Sequence, residues 1–145
     1  MSNFNIRVIP FQSVDYDKEV ALRYAVLRKP LGLQFTAEQL AAEGEFIHLG
    51  YFENENLLAC LILAPEANGK IKMKQVAVAA EMQGKGFGAQ LVKGAEALAA
   101  EKGFTLMYCH ARDTAVPFYE KLGYKRVGAM FEEVTIPHWE MEKDL

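Results

Sequence analysis

The spacing of apolar and polar residues predicts alternating strands and helices along the chain. A strand is predicted at Phe4–Pro10, followed by an amphipathic helix at Val14–Leu27 that Pro30 stops. A second, short helix is predicted to begin at Thr36, because Gln39 three residues later completes a capping box. The chain therefore opens as a strand followed by two helices.

Three strands are predicted next, at 45–52, 57–64 and 71–78, separated by polar turns. In the third of these, strict alternation slips by one residue between Met73 and Val76. A slip of this kind is typical of a β-bulge, in which one strand carries an extra residue and bends. The third strand is therefore predicted to be irregular partway along its length.

A long helix and a further strand follow. Gly103 is predicted to end the helix, and the next strand is predicted at Phe104–Cys109, where a continuous apolar run indicates burial on both faces. The order strand, helix, strand implies a parallel, right-handed crossover within a mostly antiparallel sheet. The apolar face of the helix is formed by Leu91, Val92, Ala95, Leu98 and Ala99.

Three glycines, at Gly84, Gly86 and Gly88, connect the third strand to the long helix. Unpaired N–H groups and the positive end of the helix dipole suit an anion such as a phosphate at this point. The glycine spacing fits neither a P-loop nor a dinucleotide fingerprint. A tight connection that binds nothing is the alternative.

A last helix is predicted between Thr114, as its N-cap, and Gly123, which closes it. Pro117 then takes the third helical position, where its missing N–H costs little. One face of this helix is apolar and consists of Ala115, Phe118, Tyr119 and Leu122.

Composition limits the class of protein. With 145 residues, 51% of them apolar and 24% charged, the chain is predicted to fold as one globular domain, 1–145. A net charge of −3 without a basic run argues against nucleic-acid binding and is mildly compatible with a cationic substrate. The longest apolar run, Leu57–Pro65, is too short to cross a bilayer, so a cytoplasmic protein without membrane contact is predicted.

Cysteine and histidine positions indicate no metal site. Cys60 and Cys109 each lie within an apolar strand pattern and are predicted to be buried, reduced thiols. No cluster of cysteine and histidine has the spacing of metal ligands, so no metal is predicted.

Two segments resemble motifs of the GNAT superfamily of N-acetyltransferases. Gln83, Gly86 and Gly88 match motif A, and the run from Ala115 to Tyr124 matches Ala-x-x-Phe-Tyr-x-Lys-Leu-Gly-Tyr of motif B. The segments around Arg28 and His138 are similar to the ElaA- and YjcF-like groups of small bacterial members. The resemblance implies an α+β, three-layer fold with a mixed, mostly antiparallel sheet of about seven strands and about four helices.

The resemblance also implies a cosubstrate, acetyl-CoA. In this family the loop amides hold the pyrophosphate, and the pantetheine arm lies in an opening of the sheet beside the motif A strand. The expected cofactor-binding residues are Val76, Ala77, Val78, Gln83, Gly84, Lys85, Gly86, Phe87 and Gly88.

Acyl transfer from a thioester to an amine requires an acid and a base. Tyr119 matches the family tyrosine that serves as general acid near the sulfur. The sequence does not settle the base: His138 is a candidate, since an imidazole titrates near neutrality, and a partly exposed histidine at the start of the last strand is the alternative. Weaker candidates are His48, His110, Glu132 and Glu133, and a water chain would leave no trace in the sequence.

The predicted function is acetyl-CoA-dependent transfer of an acetyl group to a primary amine, on a small molecule or an exposed amino group. A non-catalytic acyl-CoA-binding module on the same fold is the alternative. Arg23 and Arg28 are candidates to meet a substrate carboxylate or a phosphate of CoA, and a solvated helix face is the alternative for each. Arg112 stands where many relatives carry Asn, and its alternatives are pairing with a phosphate of CoA or exposure to solvent. Dimers are common among the relatives, so a homodimer is compatible with the resemblance.

Overall fold

One sheet of seven strands organises residues 3–145, the part of the chain that the computed structural model describes. Its order is β1-β2-β3-β4-β5-β7-β6, and every neighbouring pair is antiparallel except β4 and β5. This arrangement confirms the mixed, mostly antiparallel sheet and the parallel crossover. The strands are β1 (Phe4–Val8), β2 (Ile47–Glu53), β3 (Asn56–Pro65), β4 (Lys70–Val78), β5 (Leu106–Arg112), β6 (Lys125–Glu133) and β7 (Ile136–Asp144).

The described residues contain four α-helices. They are α1 (Val14–Arg23), α2 (Ala37–Ala41), α3 (Phe87–Glu101) and α4 (Val116–Lys121), and α1 and α3 pack against the sheet. The first helix continues through a π-helical turn, Tyr24–Arg28, so the segment predicted as one helix changes its winding near its end. The predicted capping box is confirmed, because the Thr36 hydroxyl accepts from the Gln39 N–H and the Gln39 amide oxygen from the Thr36 N–H. None of the helices in residues 3–145 is long and apolar enough to span a membrane.

The predicted irregularity in β4 is a β-bulge. The register with β3 passes from Cys60↔Ala77 to Ile62↔Lys74, so β4 carries one residue more than its partner. Gln75 takes the extra position with φ of 55°, a left-handed conformation that is uncommon for a residue with a side chain. The prediction made from the slipped alternation is confirmed.

Beyond the first half of β4, the two parallel strands separate. Pairing between β4 and β5 runs from Lys70↔Leu106 to Met73↔Cys109, and in the described residues it ends there. Both strands nevertheless continue, β4 to Val78 and β5 to Arg112. The sheet is therefore open between them on the side where the bulge lies.

The prediction for β5 was wrong in its bounds and its burial. The strand is Leu106–Arg112 rather than 104–109, because the Phe104 N–H still bonds to the Ala99 carbonyl at the end of α3. Burial alternates along β5, so one face packs in the core and the other faces a cavity. The hydrophobic pattern does not show this alternation in burial, because Met107, Tyr108 and Cys109 all count as apolar residues. The buried side chains are Met107, Cys109 and Ala111.

The predicted N-cap of the last helix was also wrong. Residues Asp113–Ala115 form a 3₁₀ turn, so α4 begins at Val116 and Pro117 takes the second helical position. Short 3₁₀ turns of this kind are frequent at helix N-termini. The missing N–H of proline is tolerated at the second and at the third helical position, because neither N–H has a partner within the helix. The motif is therefore compatible with either start of the helix.

The larger part of the core lies between the sheet and helices α3 and α4. Cys109 belongs to it, and Cys60 is buried in the sheet; both are free thiols, as predicted. Burial raises the pKa of the Cys109 thiol to about 12, so it stays protonated at neutral pH. The core cluster includes Leu61, Leu63, Ile71, Met73, Leu91, Val92, Ala95, Met107 and Met141.

The opposite face of the sheet holds a buried ionic cluster. The Arg23 guanidinium is fully buried and donates to Glu19 at 2.8 Å and to Glu43 at 2.8 Å. His48 Nδ1 lies 2.8 Å from the Glu19 carboxylate, and its Nε2 lies 2.9 Å from the Glu43 carbonyl oxygen. The cluster fixes α1 to the start of β2. Arg23 therefore cannot meet a substrate, which removes it as a candidate for that role.

We expect Arg23→Met to lower the free energy of unfolding by about 3–5 kcal/mol, because it leaves two carboxylates buried without their cation. Urea unfolding followed by circular dichroism measures the change. Arg126→Met is the matched control, since that guanidinium is exposed above the Trp139 ring and its loss should cost under about 1 kcal/mol. A stability of Arg23→Met equal to that of the wild type would contradict this account.

Candidate active site

The glycine turn leads directly into the N-terminus of α3. Gly86 is the N-cap residue with φ of 88°, and no side chain caps the helix, so its first N–H groups are left for another acceptor. A Cβ on Gly88 would lie 3.1 Å from Val78 Cγ2 and 3.5 Å from Phe118 Cζ. Glycine at this position therefore lets α3 close against the end of β4 and against α4.

The structure places the predicted loop residues in different surroundings. Gln83 donates its side-chain amide to the Val78 carbonyl at 3.1 Å and so ties the loop to the end of β4. Gly84, Gly86, Phe87 and Gly88 line a groove with Gln83. Lys85 is exposed outside the groove, and Ala77 is buried. These placements locate the predicted residues and leave their binding role a prediction.

A second cavity occupies the opening between β4 and β5, and we call it the gap cavity. Its volume is about 360 Å³, and its walls come from the π-helical turn, both strands, α4 and the β6–β7 hairpin. Gln75 and Val76 of the bulge line it, and neither has a paired partner on β3 or β5. Their peptide groups therefore border the cavity without a register partner in the sheet.

Tyr119 lines the gap cavity from the core side. It is 7% exposed and packs edge-to-face on Phe118 and Tyr124. Its short helix is held from outside, because Lys143 donates to the Leu122 carbonyl at 2.7 Å. Burial, with a smaller effect of Cys109, raises the pKa of the phenol well above its usual value. At neutral pH Tyr119 is therefore a hydrogen-bond donor.

An ionisable cluster lines the same cavity from the other face of the sheet. Glu133 Oε1 accepts from His110 Nδ1 at 3.0 Å, and Glu133 Oε2 lies 3.7 Å from His138 Nε2. Lys72 Nζ lies 3.4 Å from His110 Nδ1. The register pairs Arg112 with His138, so these two residues share a face of the sheet. Tyr119 and the cluster thus approach the opening from opposite sides.

His138 is held in one orientation. Its Nδ1 lies 2.7 Å from the Ile136 carbonyl oxygen, which can only accept, so Nδ1 carries a hydrogen. In the neutral ring Nε2 is then left with its lone pair, and it faces Glu133. The imidazole is 4% exposed and stacks on Phe131. A ring fixed in this way can accept a proton at Nε2.

Opposing effects act on the Glu133 carboxyl. Burial is the largest and raises its pKa, but the hydrogen bond and charge of His110, with His138 and Lys72, outweigh it and hold the pKa below the usual value. Glu133 is therefore a carboxylate at neutral pH. It is suited to stabilise a positive imidazole rather than to carry a proton itself.

The sequence made His138 and Tyr119 the main catalytic candidates and gave Glu133 and His110 little weight. The structure brings all four together around the gap cavity. Glu133 received little weight because no strand was predicted for residues 125–133, so its position beside the cavity could not be inferred. For His110 a signal was available in the sequence, because His110 and Arg112 alternate with buried apolar residues along β5 and so lie on one face of the strand.

A third histidine, His48, lies elsewhere. With Glu19 and Glu43 it forms a group whose ligand atoms lie within 4.8 Å of one another, as metal ligands do. The Arg23 guanidinium already binds both carboxylates, so a second cation there would be unfavourable. The prediction of no metal remains a prediction.

Comparisons with known proteins agree with this geometry. A model of the acetyltransferase (GNAT) domain matches residues 15–145. YitI of Bacillus subtilis, an uncharacterised N-acetyltransferase, is 25% identical over 132 residues, covering 86% of this chain and 88% of YitI. The crystal structure of Escherichia coli ElaA superposes with a TM-score of 0.80 at 20% identity, over 99% of each chain. An aminoglycoside 6′-N-acetyltransferase complexed with coenzyme A gives 0.82 at 18% identity, over 97% and 96% of the two chains.

A sheet that opens between two parallel strands, beside a glycine turn at a helix N-terminus, defines an acyl-CoA N-acyltransferase fold. The chain belongs to the GNAT family of acetyltransferases. The resemblance seen in the two motifs is thereby confirmed.

We expect ¹³C NMR spectra of the folded protein to give Glu133 a pKa below the usual value of a glutamate. His110→Ala should raise this pKa more than Lys72→Met does, because it removes a hydrogen bond as well as a charge. Because the pKa of Glu133 is lower in the folded protein than in the unfolded chain, ionisation of this carboxyl stabilises the fold at any pH above its unfolded-state pKa. This contribution is lost as the pH falls through the folded-state pKa. Equal shifts in the two variants would contradict the geometry.

Proposed function

We propose that this protein transfers the acetyl group of acetyl-CoA to a primary amine by direct attack. The observation that carries the proposal is the placement of Tyr119 and His138 on opposite sides of one cavity in the open sheet. Acyl transfer to an amine requires a proton acceptor on the side of the nucleophile and a donor on the side of the leaving thiolate.

The residues present fit the proposed cosubstrate. The uncapped N–H groups at the start of α3 suit a diphosphate, and the groove beside Gly86 and Gly88 is open to it. Gln75 lines the gap cavity, and its Oε1 is buried without a hydrogen-bond partner in the described residues. A buried amide oxygen normally finds a donor, and the amide groups of a pantetheine arm carry such donors. Acetyl-CoA supplies the activated acetyl group.

Two parts of the chain would act on the acetyl end. Peptide N–H groups beside Val76 are candidates to stabilise the oxyanion, because the bulge removes this residue from the β3 register. The Tyr119 hydroxyl would donate to the sulfur as negative charge develops on it. A phenol kept neutral by burial suits that task at neutral pH.

His138 would serve the amine. An ordinary lysine-type amine has a pKa of about 10.4 and is protonated at neutral pH, so it must lose a proton before or during attack. Nε2 of His138 can accept that proton, and the Glu133 carboxylate 3.7 Å away would stabilise the imidazolium that forms. The amine would therefore enter from the face that carries the ionisable cluster.

We expect Tyr119→Phe to lower kcat about 100-fold while the protein still binds coenzyme A, because only a proton donor has been removed. Release of free thiol from acetyl-CoA with an amine panel measures the rate, and calorimetry measures binding. Tyr124→Phe is the matched control, since that hydroxyl lies outside the gap cavity and bonds to Glu96.

A Tyr119→Phe variant that retains the full rate would overturn the role of the phenol. A wild-type protein that binds acetyl-CoA and acetylates none of the amines would instead identify a binding module. If calorimetry detects no heat on titration with acetyl-CoA, the protein is neither an acetyl-CoA-dependent enzyme nor an acyl-CoA-binding module.

We expect His138→Gln to lower kcat/KM about 100-fold at neutral pH. The deficit should shrink as the pH approaches the pKa of the amine, because the free base then exists without enzymatic deprotonation. The pH–rate profiles of wild type and variant test this. His110→Gln should show a smaller deficit, since its ring contacts the other oxygen of Glu133 and is not the proposed proton acceptor. A deficit that is constant with pH would point to a purely structural role for His138.

A further inference from the structure

Two arginines without a carboxylate partner meet at the wall of the gap cavity. Arg28 donates to the Leu27 carbonyl at 3.4 Å, and Arg112 donates to the same oxygen at 3.3 Å. Among the described residues, neither forms an ion pair with an acidic side chain within 4.0 Å. Both are half-buried and both line the cavity. The two guanidinium groups are therefore held close together by one neutral acceptor, the Leu27 carbonyl oxygen.

This arrangement is electrostatically costly for the protein alone. Guanidinium groups remain charged at any physiological pH, so the two repel each other. Burial, followed by the charges of Arg23 and Arg112, lowers the pKa of Arg28. Arg28 is also held in place, because its Cζ lies 4.9 Å from the centre of the Phe35 ring. Fixed, partly desolvated cations of this kind are typical of anion sites.

The remaining charges of the gap cavity do not neutralise the pair. Lys72 and Lys74 add two further cations to its walls, whereas Glu133 is the only carboxylate among the residues that line it. Glu133 already accepts from His110. The cavity is therefore positive although the whole chain carries a net charge of −3.

We propose that the acceptor is a primary amine that also carries an anionic group, a carboxylate or a phosphate, which Arg28 and Arg112 bind while the amine faces His138. This inference rests on the proposed function and names the class of acceptor. Two forked guanidinium groups match the oxygens of such an anion, and the anion would remove the repulsion between them.

The phosphates of acetyl-CoA are a less suitable occupant. The uncapped helix end at Gly86 offers them a separate groove, which shares no lining residue with the gap cavity. Arg112 lies opposite His138 in the sheet, on the face from which the amine is expected to enter. The two arginines should therefore affect the acceptor and leave the KM for acetyl-CoA unchanged.

The test uses the whole protein, acetyl-CoA and three matched series of straight-chain amines of increasing length. The first series ends in a carboxylate, the second in a phosphonate and the third in a carboxamide. At the best chain length, we expect kcat/KM for an anionic amine to exceed that for its carboxamide about 10- to 100-fold. Comparison of the first two series identifies the anion.

The variants Arg28→Gln and Arg112→Gln should remove most of this preference, chiefly through the KM for the anionic amine. Arg126→Gln is the matched control, because it removes a guanidinium of the same chain that lies outside the cavity. A purely structural role of the pair would lower the rates of all three series together and leave their ratio intact.

Calorimetric titration of the same amines into the protein with coenzyme A gives a readout that does not need turnover. Anionic amines that bind better than carboxamides, with the preference lost in both variants, would show that Arg28 and Arg112 bind the anion, even if the proposed function failed. Carboxamides that bind and react as well as the anionic amines would overturn the inference and leave the proposed function standing. Failure of every anionic amine to bind or react would also overturn it.

Discussion

The site depends on one interruption of hydrogen bonding, the end of the β4–β5 pairing at Met73 and Cys109. In a parallel pair the hydrogen bonds are evenly spaced along both strands. Here a bulge at Gln75 turns β4 before its end, and the two strands separate while both remain part of the sheet. The opening lets side chains from the two faces of a sheet reach a common space, which an unbroken ladder would forbid.

The walls of that space are fixed by interactions outside it. On one face, the buried pairing of Arg23 with Glu19 and Glu43 holds α1, and the π-helical turn that carries Arg28 follows directly from it. On the other face, apolar packing of α3 and α4 surrounds Tyr119. An ionic cluster thus positions the side expected to bind the charged acceptor, and a hydrophobic core positions the neutral phenol.

Much of the fold and part of the site could be predicted from the sequence. The glycine turn and the bulge each depend on residues close together in the chain, so local patterns revealed them, whereas Tyr119 became a candidate through the resemblance of residues 115–124 to motif B. Glu133 depends on the β6–β7 hairpin, whose register is interrupted between Val127 and Phe131, and no local pattern records which cavity such a strand reaches. The net negative charge likewise gave no hint of a positive cavity, because surface carboxylates dominate the sum.

The helix that carries Tyr119 has six residues, fewer than a helix needs to persist by itself in water. Its C-terminal carbonyl at Leu122 is held by Lys143 of β7, and the same strand supplies His138. Both proposed catalytic groups therefore depend on a strand that is synthesised after the other six strands of the sheet. A nascent chain that has completed α3 and β5 has its glycine turn but cannot yet have a working acid and base.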